Sequence, residues 1–225
     1  MYKMAQIIRK KQYKISKSPK EQKHILKGGG LKSNTLQLLL EATYTGNEVD
    51  GFILDKEIST NETRVFVNPN SGHIVVAHTG TYNPSDWGNN LAYAVGGDFV
   101  YKQTPRYKRA EKVQKLAEAK YGAKNITTIG HSQAGLIAQL LGKNTKEIIT
   151  LNKATRPQDL FRLHQPKKQY DVRSTGDVVS VWRNPLQKRN EITIKKKSNN
   201  VLSEHKPSVL NRMNGVIGKT NFYVS

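Results

Sequence analysis

The run Gly130-His131-Ser132-Gln133-Ala134-Gly135 sets a serine among small residues at the junction of two differently patterned segments. A serine hydroxyl is a weak nucleophile. It reacts when a neighbouring base takes its proton and fixed donors hold the developing oxyanion. A sharp turn from a strand into a helix, the nucleophile elbow, presents such a serine at the tip of a sheet. The elbow pattern is Gly-x-Ser-x-Gly. Here its last position is Ala134, and Gly135 follows one step later. Gly130 and Ala134 are small where strand and helix must pass closely. The plainer reading of the same residues is that Gly130 ends a strand and Ser132 caps a helix without reacting.

The flanks fit the elbow. Residues 125–129 are β-branched and apolar, as in a buried strand. Leu136, Ile137, Leu140 and Leu141 recur at three- and four-residue spacing, the apolar face of a helix. That helix would aim its first N–H groups toward Ser132, where an oxyanion would develop.

Composition bounds the rest. The 225 residues suit one domain of moderate size plus a tail, and 36% hydrophobic residues suffice for a core. No cysteine is present, which excludes disulfides and thiolate metal sites. The basic N-terminus leads into no apolar core of a secretory signal, and no run reaches the roughly 18 apolar residues of a membrane span. The expectation is a soluble protein, cytoplasmic or packaged in a virion. The net charge of +20 has two readings: a cationic surface for nucleic acid or anionic lipid headgroups, or a Lys/Asn/Ile bias of AT-rich coding.

Residues 1–30 read as a basic flexible tail, with nine Lys and Arg against the single acid Glu21, closing on Gly28-Gly29-Gly30. The folded domain is expected over residues 31–225. It opens with residues 31–44, where Leu36, Leu38, Leu39 and Leu40 give a helix face behind an N-cap at Ser33 or Asn34. Residues 52–54, 64–67 and 73–77 read as strands, the last nearly all apolar and so central. His73 at its start reads as structural. Residues 102–122 read as a helix with Ala110, Val113, Leu116, Ala117 and Tyr121 on its buried stripe and Gly122 as its stop. Strands are expected over 147–152 and 168–173, and an outer strand over 191–195.

The central strand runs out into His78-Thr79-Gly80-Thr81, with Asp86-Trp87 beyond it. A strand leading to Gly-Thr, then Asp-Trp, then Gly-His-Ser-x-x-Gly resembles the class 3 (fungal-type) lipase family of α/β-hydrolases. The resemblance covers the chain from about residue 43 onward. It implies an α/β-hydrolase fold with a mostly parallel central sheet flanked by helices. It also implies an oxyanion hole formed by the backbone N–H groups of Thr81 and Gln133, and a lid over residues 82–93. Two positions depart from the family: Thr79 stands where it usually carries Arg, and Asn90 where it often carries an acid. Both departures remove charges that usually support this loop.

In such hydrolases the triad acid follows a strand at a turn. Gly176-Asp177 fits, with the alternative that Asp177 only bonds its own turn. Asp171, inside a strand, and Asp159, on a probable helix, fit less well. Of the six histidines only His205 follows Asp177, giving the chain order Ser132, Asp177, His205. It lies in a polar segment, where a surface histidine is the alternative. No metal cluster is visible in the sequence, and the chemistry needs no cofactor. The implied activity is hydrolysis of a lipid ester, acylglycerol or phospholipid, with anionic membrane surfaces or nucleic acid as further contacts of the basic regions. No obligate protein partner is inferred. The rival class is a hydrolase fold reused as a cationic binding protein.

Overall fold

The computed structural model describes residues 30–80, 97–155, 159, 161, 168–181, 190–217 and 222–224. Residues 1–29 of the expected tail and the expected lid at 82–93 lie outside them.

In chain order the elements begin with strand β1 (Leu31–Lys32), helix α1 (Ser33–Thr45) and strands β2 (Ile53–Leu54), β3 (Thr63–Val67) and β4 (Ile74–His78). Helices α2 (Gly97–Gln103) and α3 (Pro105–Tyr121) lead to strand β5 (Ile126–His131), helix α4 (Gln133–Leu141) and strand β6 (Glu147–Leu151). Strands β7 (Gln169–Ser174) and β8 (Glu191–Ile194), helix α5 (Val201–His205), a 3-10 turn (Pro207–Arg212) and strands β9 (Met213–Ile217) and β10 (Phe222–Val224) complete the order. Strands β2 to β8 form a seven-stranded sheet in sequence order, while β1, β9 and β10 form a small second sheet. Each pair from β4 to β8 is parallel, and β2 and β3 join antiparallel at one edge. This is the mostly parallel α/β sheet that the sequence predicts.

Parallel strands bury both faces, so they read as apolar runs rather than alternations. All of β4 is buried, with Val75 and Ala77 facing one side and Ile74 and Val76 the other. On the first side Leu36, Leu39 and Leu40 of α1 and Val209 and Leu210 of the 3-10 turn complete the core. On the second side Val113 and Ala117 of α3 pack on β4 and β5, and Tyr107 and Ala110 meet Leu136, Ile137 and Leu140 of α4.

Three expectations are corrected. The N-cap of α1 is Lys32, because Leu31 and Lys32 pair with β9; the Ser33 hydroxyl donates to the Met213 carbonyl (2.7 Å) instead of capping. The helix expected over 102–122 is two helices. Pro105 lacks an N–H and pushes Thr104 into extended backbone, and Thr104 then caps α3 by accepting from Tyr107 N–H (3.2 Å). Leu116 is 42% exposed, and Tyr107 and Gln114 take places on the buried stripe. Gly122 ends α3 as expected.

The parallel register brings the carboxyl ends of β4, β5, β6 and β7 to one edge. Thr79, Ser132, Asn152 and Asp177 follow those four ends in turn. Among the described residues no helix is long and apolar enough to cross a membrane.

Candidate active site

Ser132 links β5 to α4 with φ 58° and ψ −129°, backbone that a residue with a Cβ rarely adopts. Such strain costs about 1–3 kcal/mol and persists where the surroundings enforce it. Here the Ser132 N–H donates to the Leu151 carbonyl, and the Ser132 carbonyl accepts from the Gly135 and Ala154 N–H groups, each at 3.0 Å. A Cβ on Gly130 would lie 2.2 Å from the Ala134 carbonyl oxygen, so that position must be glycine. The departure at the second small position has a local reason. Ala134 is accommodated in the core, and the close approach to the next loop falls at Gly135, where a Cβ would lie 2.8 Å from Lys153 Cγ. Gln133 is the first residue of α4, and its N–H belongs to the turn whose donors point out of the helix.

Asp177 and His205 come together, both buried. His205 Nδ1 lies 2.7 Å from Asp177 Oδ1, so Nδ1–H donates to the carboxylate and Nε2 is the basic nitrogen. The turn is braced because Asp177 N–H donates to the Ser174 carbonyl and Val179 N–H to Asp177 Oδ1, both at 3.2 Å. His205 is not in an open polar loop, as the sequence suggested. It is the last residue of α5, whose start is capped by Asn200. No hydrogen bond joins the Ser132 hydroxyl to His205 among the described residues. Catalytic hydrogen bonds are often long before substrate binds.

A second layer that the sequence did not reveal holds the histidine. His131 Nε2 donates to the His205 carbonyl (2.7 Å), and His131 Nδ1 accepts from the Tyr44 hydroxyl (2.9 Å). The two imidazole rings pack with centroids 4.8 Å apart. Burial, and then the neighbouring His205, lowers the His131 pKa to about 3, so the ring is a neutral donor at ordinary pH. Asn152, at φ 44°, donates from Nδ2 to the Glu204 and His205 carbonyls (both 2.9 Å) and accepts from Ser174 N–H (2.8 Å). It thus ties the histidine's segment to the strand that leads to Asp177. Glu204 is fully buried. Its carboxylate takes a two-pronged ion pair from Arg212 (2.8 and 3.0 Å), a hydrogen bond from the Ser174 hydroxyl, and the N–H groups of Lys197 and Ser198. The Arg212 bonds above all hold its pKa at about 2. The only sequence signal for this layer is an asparagine at a strand end, a residue that tolerates positive φ.

Across the edge, Thr79 is buried and pinned. Its N–H donates to the Glu62 carbonyl (3.0 Å) and its hydroxyl to the Thr43 and Asn61 carbonyls (3.3 and 3.2 Å). A Cβ on Gly80 would lie 2.1 Å from the Tyr44 hydroxyl and 2.9 Å from the His131 carbonyl oxygen, so only glycine fits. Arg106 of α3 donates to the Thr79 carbonyl and, at 3.2 Å, to Gln133 Oε1. Thr81, the other expected oxyanion donor, lies outside the described residues.

The remaining candidates have structural places. Asp171 pairs with Lys153 (2.8 Å). His73 bonds the Thr127 hydroxyl (2.8 Å), and burial lowers its pKa to about 4. Among the described residues no group of three or more His, Cys, Asp or Glu is placed to hold a metal ion.

No family model matches the chain, and no curated protein matches it. Similar solved structures do exist. A triacylglycerol lipase from Penicillium expansum is 18% identical over 76% of this chain and 80% of its own, with a TM-score of 0.44. A mutant form of MDLA from Penicillium cyclopium is 15% identical over 91% and 88%, with a TM-score of 0.42. A structure described as a fungal lipase is 15% identical over 84% and 86%, with a TM-score of 0.40.

Proposed function

We propose that the chain is a serine hydrolase that cleaves carboxylic esters of lipids. The observation that carries this reading is the 2.7 Å bond between Asp177 and His205, on the same sheet edge as a serine at φ 58° between strand and helix. In this reading His205 Nε2 takes the Ser132 proton as Oγ attacks the ester carbonyl, then gives it to the leaving alcohol. Asp177 keeps the imidazole in the Nδ1–H tautomer and supports the imidazolium. The N–H groups of Gln133 and Thr81 receive the oxyanion. Water then repeats the sequence on the acyl-serine and releases the acid.

A lipid substrate is supported by the surroundings of the pair. Val178 (54% exposed), Val181 (51%) and Leu202 (46%) present apolar side chains on the segments that carry Asp177 and His205. Lys195, Lys196, Lys197 and Lys206 are exposed beside them, and Glu204, next to His205, is buried against Arg212. Apolar tips among lysines suit an anionic lipid surface better than a polar polymer. The test is turnover of a short acyl ester and of an acylglycerol emulsion. Ser132→Ala should lose about a thousandfold or more in kcat with its melting temperature retained. Activity equal to that of the wild type would refute the reading.

A further inference from the structure

We infer that Arg106 is a positioning residue for the oxyanion site, fixing the start of α4 against the end of β4. The inference rests on the hydrolase reading above. Its guanidinium is the only group among the described residues that bonds both sides, through the Thr79 carbonyl and Gln133 Oε1. Thr79 is immobilised by three further hydrogen bonds, so it serves as a fixed anchor. Gln133 is the residue whose N–H would receive the oxyanion. A planar fork with its donors in fixed directions transmits that fixed position to Gln133 in a way a flexible ammonium does not.

The pairing is unlike that of an arginine placed for stability. A half-buried guanidinium is ordinarily matched by a carboxylate. Arg106 instead faces two neutral oxygens, and its Nε is buried without a hydrogen-bond partner among the described residues. The acid that feels its charge, Glu62, is engaged by Arg109 at 2.7 Å. Among the described residues the positive charge beside α4 therefore has no carboxylate at contact distance. It favours negative charge developing near the helix start, adding to the helix's own field. Both effects act on the tetrahedral intermediate and not on the neutral ester, so they belong to kcat.

The test compares wild type, Arg106→Met and Arg106→Lys on one soluble ester, with thermal midpoints and with binding of an alkylboronic acid that forms a tetrahedral adduct. The expected result for Arg106→Met is a fall in kcat of about tenfold or more, KM within twofold, and boronic acid affinity weakened in proportion to kcat/KM. Arg106→Lys, which keeps the charge and loses the fork, should lie between. It also serves as the test if the methionine variant does not fold. Unchanged kcat in folded variants, or a rise in KM alone, would overturn the inference while leaving the hydrolase reading intact. A wild type without turnover or boronic acid binding would overturn both.

Discussion

A serine, an acid and a histidine become a mechanism only through the atoms that fix them. Ser132, Asp177 and His205 were legible as candidates because residue type, small neighbours and chain order all carry information. Tyr44, Asn152, Glu204 and Arg106 were not. Their roles arise from contacts such as that of Tyr44 with His131, 87 positions apart, which no local pattern encodes. The acid offers the sharpest residue test. Asp177→Asn keeps the shape of the side chain but turns an acceptor toward a donor, so His205 loses the partner that sets its tautomer. The variant should fold normally and lose about four powers of ten in kcat, as steady-state kinetics on a soluble ester would read. A loss under tenfold would mean that Asp177 is only a turn residue.

At the scale of elements, strand identity followed from apolar runs and helix identity from spacing, so β4, β5, β6 and α4 fell where the sequence put them. The misses come from competition between local and tertiary forces. Pairing with β9 ends at Lys32 and makes it the N-cap, so the first helix begins earlier than a cap at Ser33 or Asn34 allows, and Pro105 divided what periodicity made continuous. The α5 segment has the sequence pattern of a polar loop because its anchor is a buried ion pair rather than an apolar stripe. That anchor yields a stability prediction. Glu204→Ala leaves Arg212 without its carboxylate and removes the acceptor for two backbone N–H groups. Breaking a buried pair on one side costs about 3–5 kcal/mol, to be read by urea unfolding. A cost below about 1 kcal/mol would show that α5 and His205 are held by something else.

For the whole molecule, buried histidines set the response to acid. Burial lowers His78 and His131 to about 3 and His73 to about 4, well under their ordinary 6.5. The unfolded chain therefore binds more protons than the folded one between pH 6.5 and about 3 to 4. Stability rises with pH through that window and is lost as pH falls, by up to about 1.4 kcal/mol per pH unit for each group. Glu204, held down to about 2, adds a second loss below its ordinary 4.5, while Glu147, pushed up by burial, works in the opposite direction. Urea midpoints should fall steadily from pH 7 to pH 4. A flat profile would show that these histidines are hydrated. The charge of +20 makes a separate prediction. Binding to vesicles rich in anionic lipid should weaken steeply with salt, and binding to neutral vesicles should be weaker throughout, as sedimentation would show. Equal binding to both would remove charge from the picture.

The most direct measurement is labelling by a fluorophosphonate, read by intact mass and peptide mapping, on wild type, Ser132→Ala and His205→Ala. An activated serine gives a single adduct on Ser132 of the wild type and none on either variant. An adduct elsewhere, an unchanged adduct in His205→Ala, or no adduct on the wild type even with detergent or anionic vesicles present would contradict a Ser132–His205–Asp177 hydrolase.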